Sequence, residues 1–189
     1  MNITPEEAQM ALNDIQQATR TARGVFNIWA YHMLIWGIVW TIGFLLSQFQ
    51  PQWISAIWII MVLCGIAGST VVGIIQGRRM RIVPGSQAAF ISSRVSMFCG
   101  VLYGFVILWL IVFPLTAPQV SILWITATTF SYISTGLWFR QMTYVVLGVG
   151  ITLMVVIGYY LVPHYFWLWS AVFAGVPLVC TGIYFLRRK

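Results

Sequence analysis

VSILWITATTFSYISTGLWFR, Val120 to Arg140, meets no charged residue until its last position. The uncharged part, Val120 to Phe139, has the length of about 20 residues that a helix needs to cross a hydrocarbon core about 30 Å thick. Its closing phrase, STGLWFR, is nearly repeated by CTGIYFLRRK at Cys180 to Lys189. Aromatic rings followed by arginine suit a helix leaving a membrane, where rings favour the headgroup layer and guanidinium groups reach water and lipid phosphate.

Five further runs of this kind surround it. Together they are Val25 to Ser47, Trp53 to Gln76, Phe90 to Phe113, Val120 to Phe139, Met142 to Val162 and Phe166 to Leu186. The 189 residues are 60% hydrophobic, 16% aromatic and 7% charged, too little polar surface to cover a water-soluble globule. The runs lack the alternation of barrel strands and are about twice too long for them. The expected fold is an all-α membrane protein: a six-transmembrane-helix bundle over 25–189, preceded by a short cytoplasmic helix over 1–24.

Charge sets the expected direction. If the six runs alternate, all ten basic residues fall on one side: Arg20, Arg23, Arg78, Arg79, Arg81, Arg94, Arg140, Arg187, Arg188 and Lys189. The connections QFQPQ (48–52), PLTAPQ (114–119) and PHY (163–165) carry none. The positive-inside rule then places both termini in the cytoplasm, as expected for a plasma membrane or bacterial inner membrane. Glu6, Glu7 and Asp14 before the first run, and its length, argue against a cleavable signal. Basic residues clustered at span ends carry no implication of nucleic-acid binding.

Pro51 to Gly73, Pro114 to Gly136 and Pro163 to Gly182 share a punctuation of outer proline and inner glycine, with arginine soon after each glycine. Three tandem hairpins would produce it, and so would the shared topology of any inward-running helix.

The amino-terminal segment opens with a capping box, Thr4, Pro5, Glu6, Glu7. Ala8, Ala11, Ile15, Ala18, Ala22 and Val25 follow at spacings of three and four. This narrow alanine stripe fits packing on the protein's own loops, pairing with another copy or a cytoplasmic protein partner, or lying on the lipid bilayer.

The membrane runs are poor in chemistry. No Asp or Glu follows Asp14 and the single lysine is the last residue, so paired carboxylates and a Schiff-base lysine are lacking. His32 lies in the first run and His164 in the last outer connection, too far apart across the bilayer to share a metal or haem. Cys64, Cys99 and Cys180 stand singly, which indicates neither disulfides nor zinc. No cofactor and no enzymatic activity are expected.

Three features remain as candidate sites. Gly65, Ser69, Gly73 and Gly77 on run two, and Ser92, Ser96, Gly100 and Gly104 on run three, form ridges of small residues at intervals of four. Small faces let helices approach closely in lipid, so contact between helices two and three is favoured over a seam between copies or a ligand cleft. Ser121, Trp124, Thr128, Ser131, Thr135 and Trp138 make a hydroxylated, aromatic face on run four. Trp124, Thr128, Ser131 and Thr135, with His32, would line a path or pocket if one exists; otherwise the hydroxyls bond back to carbonyls one turn earlier. Arg78, Arg79, Arg81 and Arg94 form a basic patch suited to anionic lipid or an acidic partner.

Two functions fit. One is a non-enzymatic interaction or regulatory component of the membrane, and the other is a passive or weakly coupled transporter or channel for a small uncharged or cationic solute.

Overall fold

The computed structural model describes Gln9, residues 29–80 and residues 87–187, with no side chain described at 77, 79, 80 or 87–92. Six helices follow one another: α1 (Trp29–Phe49), α2 (Ile54–Met80), α3 (Gln87–Val112), α4 (Ala117–Trp138), α5 (Met142–Leu161) and α6 (Pro163–Arg187). Each is long and apolar enough to cross a membrane. The described residues form no strand. All six expected runs coincide with helices, and the ends that fall within the described residues shift by only a few residues. The expected 1–24 helix lies outside the described residues, Gln9 excepted.

Proline opens three of these helices. Pro51 and Pro163 each begin a 3-10 turn, Pro51–Trp53 and Pro163–Tyr165, that leads into α2 and α6. First-turn amides have no intrahelical acceptor, so a residue without an N–H fits there. In α4 the first-turn proline is Pro118, whereas Pro114 lies in the connection. The Thr116 N–H donates to Gln119 Oε1 at 2.9 Å and thereby holds the start of α4.

The buried core draws on four helices. Met33, Trp40 and Phe44 of α1 meet Ile125 and Tyr132 of α4, Ile151 and Val155 of α5, and Phe166, Ala174 and Leu178 of α6. Close packing and interhelical hydrogen bonds join these helices. At the α4–α5 seam a Cβ on Gly148 would lie 2.7 Å from the Thr129 carbonyl oxygen, so these two backbones approach closely. Beside it, Thr129 Oγ1 and Thr152 Oγ1 share a hydrogen bond of 2.7 Å.

The neighbours run α2, α1, α6, α5, α4, α3. Trp36 of α1 lies over Gly65 of α2; Ala30 and Leu34 of α1 touch Gly182 of α6; Trp169 of α6 covers Gly158 of α5 and its Nε1–H donates to the Met154 carbonyl at 2.7 Å. Gln48 joins the far ends of α1 and α6, donating from Nε2 to the His164 carbonyl at 3.2 Å while Oε1 accepts from the Leu168 N–H at 3.3 Å. Within α6, residues Ala171–Gly175 form a π-turn, with the Val176 N–H reaching the Ala171 carbonyl. That wide turn carries the chain past Pro177, whose ring would crowd the Phe173 carbonyl in a regular helix.

The order of neighbours corrects the contact expected between helices two and three. Among the described residues α2 and α3 share no extended interface and stand at opposite ends of the series. The ridge on α2 faces α1: a Cβ on Gly65 would lie 3.0 Å from the Trp36 ring, and Trp36 Nε1–H donates to Ser69 Oγ at 3.1 Å. A line of small side chains is a notch, and a large ring fills a notch as well as a second small face does. An indole N–H among apolar side chains also needs an acceptor, which Ser69 supplies. Gly73, farther along α2, has open space where a Cβ would be.

The glycines of the two repeated endings do serve similar packing. Gly136 in STGLWFR lies against Tyr144 and Val145 of α5, and Gly182 in TGIYFLRR against α1. Each lets an adjacent helix approach near the end where its arginine emerges.

Candidate functional site

The α4 stripe faces α3. Trp124 and Thr128 are half-buried, Ser121, Ser131 and Thr135 are buried, and Trp138 is exposed. Thr128 Oγ1 donates to the Trp124 carbonyl at 2.8 Å, and Ser131 Oγ donates to the Thr128 carbonyl at 2.7 Å. Hydroxyls in an apolar helix commonly bond back in this way, because the carbonyls of the preceding turn are the nearest acceptors.

Tyr103 of α3 closes the seam. Its hydroxyl lies 3.2 Å from Thr128 Oγ1, and its ring is tilted over Trp124 with centroids 5.6 Å apart. Thr128 already donates to its own backbone, so Tyr103 is the donor in this pair. Farther along, Phe98 of α3 meets Trp138 edge-on at 5.2 Å and Phe130 at 6.2 Å. A phenol therefore covers Thr128, and aromatic rings join α3 to α4 farther along.

Thr135 differs. Its Oγ1 is buried and has no hydrogen-bond partner among the described residues, and the Tyr144 hydroxyl of α5 and the Ser170 hydroxyl of α6 are in the same condition. Tyr144 is held by rings, stacked on Phe185 of α6 at 5.1 Å and edge-on to Trp29 of α1 at 6.4 Å. His32 is half-buried on α1.

Two shallow, apolar hollows lie among the described residues. One is lined by Ile38, Thr41, Ile42, Val176 and Val179 between α1 and α6, and the other by residues of α5 and α6 including Gly150, Met154 and Pro177. Neither includes Trp124, Thr128, Ser131, Thr135 or His32.

The ridge on α3 has a different setting from that on α2. Ser96, Gly100 and Gly104 are exposed, and among the described residues nothing lies within 4 Å of a Cβ built on either glycine. Only 6% of the most apolar window of α2 and of α3 is buried, against 44% in α1 and in α4, so the outer pair offers most of its surface outward. Of the basic patch, Arg78 and Arg94 are exposed, Arg79 has no described side chain, and Arg81 lies outside the described residues. Gly77 and Ser92 belong to α2 and α3, without described side chains.

Sequence reasoning missed Tyr103 and Thr129. Tyr103 immediately precedes Gly104 of the small ridge, and its role depends on α4 being the neighbour. Thr129 immediately follows Thr128, and a stripe drawn at three- and four-residue steps leaves it out. The chain matches no protein-family model, no curated protein and no solved structure.

Proposed function

We propose that the chain is an integral protein of a plasma or bacterial inner membrane, with both termini cytoplasmic, and acts as a non-enzymatic interaction or regulatory component. Arg78, Arg140 and Arg187 lie at or just past the carboxyl-terminal ends of α2, α4 and α6, as the positive-inside rule requires of inward-running helices. The observation that carries the interaction reading is the α3 ridge of Ser96, Gly100 and Gly104, exposed with open space at both glycines.

Acyl chains gain little from glycine, whereas a helix gains close backbone approach. The α2 ridge illustrates the kind of partner that suits: a helix bearing a ring and a donor, as Trp36 does. The backbone-bonded, Tyr103-covered hydroxyls of α4 weigh against the transporter alternative.

The test is Gly100→Leu combined with Gly104→Leu, read by cross-linking in membranes and by complex size in mild detergent. The variant should lose its partner without losing stability: both new side chains enter open space, and replacing two helix glycines should leave the unfolding free energy unchanged or raise it by up to about 2 kcal/mol. An undiminished complex would remove α3 as the contact.

A further inference from the structure

The turn between α4 and α5 places an arginine where the backbone favours glycine. Arg140 has φ of 54°, and among the described residues it is the non-glycine residue with positive φ. The helix end imposes this conformation: the Gln141 N–H donates to the Gly136 carbonyl at 2.8 Å, and the Arg140 N–H reaches toward the Leu137 carbonyl at 3.4 Å. Such a closing pattern takes a left-handed residue after the last turn, most often glycine. Membrane orientation alone does not ask for arginine at this position. Phe139 or Gln141 would carry the charge equally well and leave the left-handed position to glycine.

The side chain is also unspent. Arg140 is exposed, and among the described residues its guanidinium has no hydrogen-bond or ion-pair partner. Trp138 and Phe139 beside it are 56% and 37% exposed. A fixed corner thus presents one fork of donors next to two outward aromatic rings, at the level where a helix meets lipid headgroups.

We propose that this corner binds the phosphodiester of an anionic phospholipid, with the Arg140 guanidinium on the phosphate and Trp138 and Phe139 against the glycerol and upper acyl chains. The left-handed backbone sets the direction of the Arg140 Cα–Cβ bond, and the planar guanidinium fork matches two phosphate oxygens at once. The inference rests on the membrane reading given above and adds a ligand class at the α4–α5 turn.

The test uses the full chain and its Arg140→Gly and Arg140→Lys variants in vesicles of phosphatidylcholine, alone or mixed with phosphatidylglycerol. Flotation reads membrane insertion, native mass spectrometry reads retained lipid, and thermal unfolding reads stability. The unsubstituted chain should retain phosphatidylglycerol over phosphatidylcholine, and Arg140→Gly should reduce that preference about fivefold, the effect of one basic residue at an anionic surface. Arg140→Lys should fall between them. In phosphatidylcholine alone, Arg140→Gly should unfold at the same temperature or higher, because glycine relieves the left-handed position.

A preference that survives Arg140→Gly overturns the proposal. So does a lower unfolding temperature for that variant in phosphatidylcholine, which would make the arginine a brace for the corner. Displacement of phosphatidylglycerol by inorganic phosphate would move the site from lipid to free anion and overturn it as well. A chain that floats with neither vesicle overturns the membrane reading too, whereas one that floats with both and shows no phosphatidylglycerol preference overturns this inference alone.

Discussion

Gly148→Ala puts one methyl group into the seam that joins α4 to α5. The new Cβ would lie 2.6 Å from Ile133 Cγ1 and 2.7 Å from the Thr129 carbonyl oxygen. Ile133 can change rotamer, but the carbonyl moves only if α4 moves. Forced overpacking of this kind costs about 1–3 kcal/mol. Separating the helices also stretches the Thr129 to Thr152 hydrogen bond, now 2.7 Å. Interhelical hydrogen bonds in lipid contribute about 0.6 kcal/mol on average. Against this, alanine is favoured over glycine inside a helix by up to about 1 kcal/mol.

Gly150→Ala isolates that last effect, because two residues along α5 nothing lies within 4 Å of a Cβ. It should leave stability unchanged or raise it by up to about 1 kcal/mol. The two variants should therefore differ by about 1.5–3.5 kcal/mol, with Gly148→Ala the less stable. Unfolding in mixed micelles, titrated with a denaturing detergent, measures the difference. If both variants unfold within about 0.5 kcal/mol of each other, close backbone approach does not hold this seam.

Tyr103→Phe removes the donor to Thr128 and leaves the Thr128 to Trp124 bond in place; the same unfolding assay should show a loss of about 0.6 kcal/mol, and no loss would mean that the hydroxyl contributes nothing to the seam. Cysteine placed in turn at Trp124, Thr128, Ser131 and Thr135, with Cys64, Cys99 and Cys180 replaced by alanine, should be uniformly protected from an aqueous thiol reagent. Labelling of these positions in membranes would revive the transporter reading.

The division between what was legible and what was not follows from range. The six helices could be read because span length and hydropathy are properties of one segment, and every expected run from Val25–Ser47 to Phe166–Leu186 has its helix. The α4 stripe was legible as a face, and its back-bonding hydroxyls need only the previous turn of the same helix. Tyr103 was not legible as its cover, since only the packing of α3 on α4 brings a phenol to Thr128. Arg140 could be read as a charge at a helix end, but its left-handed backbone emerges only from the Gln141 to Gly136 closure.

By itself, then, the sequence determined six apolar helices, their charge asymmetry and the faces on which small and hydroxylated residues lie. Tertiary structure alone decided the neighbours: two similar ridges met different fates, one filled by Trp36 and the other left open at Gly100 and Gly104. The physical reason is that a small-residue face removes an obstacle to contact without supplying a preference for any one partner. Preference came from what the facing helix carried, a ring to fill the notch and a donor that apolar surroundings leave unsatisfied.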